Sequence, residues 1–372
     1  MRFAIITHVE HIQVDNFFYG YAPYVREMNI WIKYADKVIL VAPIGLRKNN
    51  AIHSKYEHNS IQFVPIPEMN LLSVKSFLKS FIHTPKSCWK IYKAMQNADH
   101  IHLRCPGNIG LLGCFIQILF PKKPKTTKYA GNWDPKSSQP LTYRIQKWIL
   151  NNTILTKNMQ ALVYGEWEGS SKNIKPFFTA TYQEKDKVGI QPRILKNTLS
   201  FLFVGSLAIG KRPLYAIQIV ERLMQFGFNV ELKIYGDGKE RENLIAYCKI
   251  NHLNHIVFFK GNQTETVVRE AYKNSHFLLL PSTSEGWPKV VAEAMFWGCL
   301  PITTSVSCLP YMLDAGERGL FLEMNLSVDV NQINQIINNQ ELYDSKVLKS
   351  ILWSRKYTLD LFENEIATLL NR

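Results

Sequence analysis

Short apolar runs alternate with helical stretches along this chain, and the alternation begins twice. In the first half the runs lie at residues 3–7, 37–42, 61–65, 100–103, 126–130 and 161–164, with helical spacing near 21–34, 71–81, 86–97, 108–120 and 140–152. In the second half they lie at 200–204, 231–235, 256–259, 277–280 and 301–303, with helical spacing near 212–227, 239–250, 264–273 and 288–298. Runs this short and this apolar read as strands buried on both faces, and strands that alternate with helices build parallel sheets. Residues 181–198 between the halves are polar and aperiodic, and read as a linker. A chain of 372 residues suits two domains. The expected fold is therefore α/β, with two Rossmann-like parallel-sheet domains over 1–190 and 198–344 facing a central cleft. A helical tail over 345–372 follows.

Charge divides along the same line. Residues 1–197 hold 27 Lys and Arg against 12 Asp and Glu, and residues 198–372 hold 17 against 18, so the first half carries all of the formal +14. A basic half implies an anionic partner, and an anionic membrane surface fits. The densest basic run, 122–128, has no nucleic-acid motif around it, and no nucleic acid is expected. The longest apolar stretch, 109–120, is too short to span a bilayer, and residues 3–7 are too short for a signal peptide. Six cysteines without close pairing read as small hydrophobes in a reducing compartment. The ten histidines form no ligand spacing, so no metal or other cofactor is expected. The implied location is cytoplasmic, peripheral at the inner face of the plasma membrane.

Residues 285–298 concentrate the chemistry. Glu285 and Glu293 stand eight positions apart, on either side of Gly286-Trp287-Pro288 and an apolar helical start. Residues 277–280 read as the strand before them, and Pro288 suits the first turn of a helix. Glu285 then sits on the loop at a strand's carboxyl end and Glu293 on the following helix, in the crevice where open α/β sheets bind ligands. Eight residues at helical rise span roughly 12 Å, enough to touch both ends of a nucleotide-sugar. A solvated helix with two unrelated acids is the plainer alternative.

A second constellation, Gly205-Ser206-Leu207-Ala208-Ile209-Gly210-Lys211-Arg212-Pro213, leaves the first strand of the second half and opens its first helix. Gly205 lets backbone approach a ligand, Lys211 and Arg212 bring positive charge, and the helix N-terminus favours anions. This outlines a diphosphate site; an exposed basic turn is the alternative. Residues 235–238 read as a plain strand-to-loop turn, whereas Gly261 and Asn262 are expected to offer backbone groups to a nucleobase.

These segments, with 234–238, 258–261 and 281–298, resemble in order and spacing the donor-binding domain of the family-4 retaining glycosyltransferases of GT-B architecture, over about 100 residues. The resemblance implies that Lys211 binds the donor diphosphate, Glu293 the ribose hydroxyls and Glu285 the transferred sugar, with retention of configuration and no metal. Gly205, Ser206, Arg212, Gly261, Asn262, Gly286, Trp287 and Pro288 are the further candidate donor contacts, and the resemblance implies a final helix that crosses back to the first domain. Two departures stand out. Ser206 replaces the family's arginine, and residues 305–310 replace its Gly-Gly-x-x-Glu turn.

In the first half, Gly20 falls where the family has a glycine-rich loop near the donor phosphate, and Asp134 is a candidate acceptor-side catalytic residue. A turn aspartate before proline is the alternative for Asp134. His8, His11 and Arg104 have structural and functional readings of equal standing. The expected activity is sugar transfer from a UDP- or GDP-sugar to a glycan, lipid-linked and destined for the cell surface. A nucleotide-sugar epimerase of the same architecture, or a glycan- or nucleic-acid-binding protein with a decayed donor site, remain the alternatives.

Overall fold

The computed structural model describes residues 1–45, 53–69 and 74–371, with only the backbone of 74–81. They form two compact units, one of Met1–Phe178 with Glu363–Arg372 and one of Thr179–Phe362.

Among the described residues of the first unit, the strands are β1 (Arg2–Ile6), β2 (His11–Val14), β3 (Phe17–Tyr21), β4 (Lys37–Ala42), β5 (His53–Lys55), β6 (Ile61–Pro65), β7 (His100–Cys105), β8 (Lys125–Tyr129), β9 (Met159–Tyr164) and β10 (Ile174–Phe177). Seven form an all-parallel sheet in the order β10-β9-β8-β7-β1-β4-β6. The helices are α1 (Ala22–Ile32), α2 (Val74–Asn97), α3 (Asn108–Ile116) and α4 (Leu141–Leu150). The strands β2, β3 and β5 make a separate antiparallel sheet that the sequence reading lacked. Their alternation is short and broken by Asp15 at positive φ, so no strand period shows. Two expected helices, 71–81 and 86–97, are one helix that runs through Pro85; residues 71–73 lie outside the described residues.

The basic run 122–128 is largely internal. Lys123 Nζ donates to three carbonyls at the end of α2, those of Met95 at 2.8 Å, Gln96 at 2.6 Å and Ala98 at 2.6 Å. Such orphan carbonyls favour a cation. All five residues of β8 are buried. Lys125 Nζ reaches Gln117 O and Phe120 O, and burial lowers its pKa to about 8. Lys128 Nζ meets Glu27 Oε1 at 2.9 Å and Phe178 O at 3.2 Å.

Three histidines of this unit are buried and neutral. His11 Nδ1 bonds Val9 O at 2.7 Å and Nε2 pairs with the Tyr56 hydroxyl at 2.9 Å. His100 and His102 both meet Thr126 Oγ1 at 2.9 Å. Burial lowers the pKa to about 4 for His11 and His100 and to about 3 for His102. The unfolded chain protonates near pH 6.5, so below that it binds protons that the folded unit refuses. The histidine contribution is then constant above about pH 7 and falls as pH drops toward 4, by roughly 2 kcal/mol per histidine at pH 5. Urea melts at about pH 7.5 and pH 5 should show a clearly lower midpoint at the acid end. Equal midpoints would contradict the burial of these rings.

Among the described residues of the second unit, the strands are β11 (Leu199–Val204), β12 (Val230–Tyr235), β13 (Val257–Gly261), β14 (Phe277–Leu280), β15 (Leu300–Thr304) and β16 (Leu320–Leu322). Their order is β13-β12-β11-β14-β15-β16, again all parallel. The helices are α5 (Pro213–Gln225), α6 (Arg241–Ile250), α7 (Glu265–Lys273), α8 (Lys289–Phe296), α9 (Leu309–Leu313), α10 (Leu326–Ile337) and α11 (Gln340–Ser354), with the first four residues of α12 (Leu359–Leu370). Phe201, Phe203, Leu232, Ile234, Phe277 and Leu279 of the central strands pack with Ile217, Val220 and Ile333 of α5 and α10 in one core.

Two expected boundaries move. Residues 179–190, grouped with the first half on sequence, belong to the second unit. The polar segment read as a linker is stitched down: the Arg193 guanidinium donates to the carbonyls of Tyr272, Lys273, Trp297 and Gly298, the orphan ends of α7 and α8. The tail is also divided. Helix α11 and the start of α12 belong to the second unit, and the stretch Glu363–Arg372 belongs to the first. There Lys33 and Lys175 pair with Glu363 and Glu365 at 2.8 and 2.7 Å.

Candidate functional site

Strand order in the second unit reverses between β11 and β14. Open parallel sheets take ligands outside the carboxyl ends of their strands at such a reversal. The loops that leave these two strands carry both constellations singled out on sequence.

The loops are bound to each other. The backbone N–H and hydroxyl of Thr283 both donate to Gly210 O, at 2.8 and 3.1 Å. Lys211 Nζ donates to Glu285 Oε1 in a short ion pair. The lysine side chain is 29% exposed and the glutamate 9%, so the carboxylate is held in and the ammonium stays open to solvent.

Behind them, Gly205 N donates to Tyr235 O and Leu207 N to Asp237 O. A Cβ on Gly236, at φ +137°, would lie 1.8 Å from Gly205 O, and one on Gly238 would lie 2.4 Å from Leu207 O. The 235–238 turn therefore backs the Lys211 loop, which gives its glycines a packing reason.

Arg212 takes left-handed angles, φ +49° and ψ 48°, at the N-cap of α5, with Pro213 at the first helical position. This conformation costs a non-glycine residue about 1–2 kcal/mol. No side chain caps α5. Lys211 and Arg212 thus directly precede the uncapped start of a 13-residue helix, where Pro213 lacks an N–H and Tyr215 N donates to Arg212 O. Ser206 is exposed on the same loop.

The turn at Glu285–Pro288 is held by a contact that sequence reading missed. Ser307 Oγ and Cys308 Sγ both donate to Gly286 O, at 3.3 and 3.0 Å. The segment that replaces the family's glycine turn thus braces the Glu285 loop. Trp287 is buried, stacked on Trp353 with centroids 6.2 Å apart and edge-on to Tyr357 at 5.8 Å. Its ring serves packing against the α11 end, where the sequence reading had a donor contact. Pro288 is the N-cap of α8, one residue earlier than expected.

Glu293 lies on α8 and accepts from Thr181 Oγ1 at 2.7 Å and from the Tyr272 hydroxyl at 3.2 Å. Burial raises its pKa, against the Thr181 hydrogen bond. It lines a shallow, open depression with Thr181, Tyr182, Lys289 and Tyr357. Thr181 had no signal on sequence, since it fell in the segment read as linker. Gly261, at φ +67°, ends the edge strand β13, and Asn262 beside it is exposed.

The first-unit residues fall differently. Gly20 is inside β3, opposite His11, where a Cβ would stand 3.1 Å from Val25 Cγ2. It is a strand position, and the loop expected around it is absent. Asp134 Oδ1 accepts from Lys136 N at 2.8 Å, and Asp134 N donates to Asn132 Oδ1 at 2.9 Å. That is the turn-aspartate geometry. Among the described residues, no three His, Cys, Asp or Glu side chains converge as a metal site would need.

Residues 185–347 match the family described as Glycosyl transferases group 1. An uncharacterized glycosyltransferase of Haemophilus influenzae is 33% identical over 165 residues, 43% of this chain and 46% of the relative. Protein CapJ of Staphylococcus aureus is 23% identical over 72% of this chain and 70% of its own length. The chain thus spans a little under half the length of the Haemophilus relative. The crystal structure of Anabaena HepE in complex with UDP and glucose superposes with a TM-score of 0.71 at 13% identity, covering 100% of this chain and 99% of that one. The fold is that of the GT-B glycosyltransferases, with two parallel-sheet α/β units.

Proposed function

We propose that this chain, whose residues 185–347 match the group 1 glycosyl transferases, moves a sugar from a nucleotide-sugar donor to a glycan acceptor. The observation that carries the reading is the Lys211–Glu285 pair, set on the two loops that leave β11 and β14. A departing diphosphate gathers negative charge, and fixed cations and N–H dipoles stabilise it where it forms. Lys211, Arg212 and the start of α5 supply them. Glu285 holds the ammonium in place and meets the donor sugar's hydroxyls. Glu293 keeps lone pairs beyond those used by Thr181 and Tyr272, and these accept the ribose hydroxyls.

The transition state is oxocarbenium-like. In a front-side displacement the leaving phosphate takes the acceptor's proton as the new glycosidic bond forms, which retains configuration without a metal. The donor is a UDP- or GDP-hexose. The likeness to a fold solved with UDP and glucose supports the uridine form. The acceptor is a lipid-linked glycan in cell-surface polysaccharide synthesis.

A thermal-shift series with nucleotide-sugars and no added metal tests the donor site. At ligand concentrations near 100 Kd, linkage adds about 2.7 kcal/mol, enough to raise Tm by several degrees. The rise should vanish in Glu293→Gln, whose unliganded Tm should stay near the parent's because the amide can still accept from Thr181. Absence of any nucleotide response in the parent protein would end this reading.

A further inference from the structure

Residues 69–133 contain ten Lys and Arg, of which Lys123, Lys125 and Lys128 are held internally while Lys86, Lys93 and Lys122 are exposed, and the single acid, Asp99, is paired with Arg2 at 2.7 Å. Helix α2 lies in this stretch and has no acidic residue. From residue 82 onward its two faces are unlike each other. Ser87, Ile91, Ala94 and Met95 are buried in the first unit. Ile82, Lys86, Trp89 and Lys93 fall within an arc of about 60° on the opposite face. All four are exposed, Ile82 by 73% and Trp89 by 59%.

An outward helix face in water needs only polar side chains. Here an isoleucine and a tryptophan alternate with lysines, and Lys93 Nζ lies 4.8 Å from the Trp89 ring centroid. The face continues onto a second element. Tyr92 meets Phe120 with centroids 5.3 Å apart, which brings the stretch that follows α3 beside α2. There Leu119 is 65% exposed and Lys122 is exposed.

Amphipathic indole and aliphatic side chains among lysines are the composition that settles in a headgroup layer. The lysines attract anionic lipid while the apolar side chains enter the acyl boundary. We propose that this face of the first unit docks on the surface of an anionic bilayer, with Ile82, Trp89 and Leu119 inserted and Lys86, Lys93 and Lys122 on lipid phosphates. Among the described residues no helix is long and apolar enough to cross a membrane, so the attachment is to one leaflet's surface. The proposal deepens the lipid-linked acceptor of the proposed function and rests on that reading only for its purpose.

Co-sedimentation of the full chain with vesicles tests it. Phosphatidylcholine mixed with phosphatidylglycerol should bind at least about tenfold more tightly than phosphatidylcholine alone, and added salt should weaken binding. Trp89→Ala should lower affinity for the mixed vesicles about tenfold, and Lys86→Glu with Lys93→Glu should lower it further. Lys249→Glu, an exposed lysine of the second unit, should leave it unchanged. Equal binding to neutral vesicles, or equal loss from Lys249→Glu, would overturn the proposal. So would binding to RNA as tight as to the mixed vesicles with no effect of Trp89→Ala, which would mark a general polyanion surface. Nucleotide-sugar stabilisation of the same variants is the separate readout. Vesicle binding lost with stabilisation intact separates this face from the donor site, and stabilisation absent with vesicle binding intact refutes only the donor reading.

Discussion

Replacing Lys211 with alanine is expected to lower kcat/KM for sugar transfer by about 10²- to 10³-fold. That is the cost of removing one preorganised donor from a site where charge develops. The ammonium is fixed before any donor arrives, because Glu285 holds it and the Thr283–Gly210 bonds hold the two loops together. Little reorganisation remains for the moment of reaction. The partner carboxylate is 9% exposed, so the variant leaves it with less compensation, yet the lysine itself is at the surface and the fold should survive. Lys211→Arg should recover part of the activity, since charge returns but the guanidinium fork does not match the single Glu285 oxygen. Arg212→Ala should cost less than Lys211→Ala if Lys211 is the main diphosphate ligand. Steady-state kinetics with a circular-dichroism check of folding decides it. A Lys211→Ala enzyme within a few-fold of the parent removes the role given to this residue.

Replacing Glu27 with alanine should destabilise the first unit by roughly 3–5 kcal/mol, the usual cost of stranding a buried charge. Lys128 has no exposed side-chain surface and Glu27 only 6%. The ammonium also touches Phe178 O at 3.2 Å and sits 5.5 Å from the ring centroids of Tyr164 and Phe177. Arg104 Nη1 stands 3.7 Å from the same Glu27 oxygen. Without the carboxylate, the Lys128 ammonium and the Arg104 guanidinium lose their shared counter-charge. Glu27→Gln keeps an acceptor but not the charge and should fall between parent and alanine. Glu27→Leu combined with Lys128→Met should recover much of the loss, because an apolar pair needs no compensation. Urea denaturation of the four proteins measures this. Losses under about 1 kcal/mol for Glu27→Ala would show that Lys128 is solvated in solution.

Both residues behind these predictions were in the sequence, but only Lys211 could be understood there. Its meaning is local: a strand end, a glycine loop and a proline-started helix lie within ten residues of it. Lys128 reads locally as part of a basic run, and nothing nearby shows that Glu27, a hundred residues earlier, will reach it. His11 is similar. Its neutrality follows from Tyr56 and the three-stranded sheet, neither of which has a sequence signature. Gly20 shows the same limit from the other side, since a glycine near a first strand looks the same in a phosphate loop and in a crowded strand.

Periodicity and buried apolar runs are enough to establish two parallel α/β sheets, and the residues just past β11 and β14 are enough to locate Lys211, Glu285 and Glu293 on them. These are short-range properties, set by hydrophobic spacing and turn chemistry. Only tertiary structure decided that Thr181 and Tyr272 hold Glu293, that Ser307 and Cys308 brace the Glu285 turn, and that Trp287 is packing. It alone placed Lys125 and Lys128 inside and left Ile82 and Trp89 outside. Those outcomes depend on which distant surfaces meet and which charges lose their water, and burial is a property of the folded unit rather than of any segment of its chain.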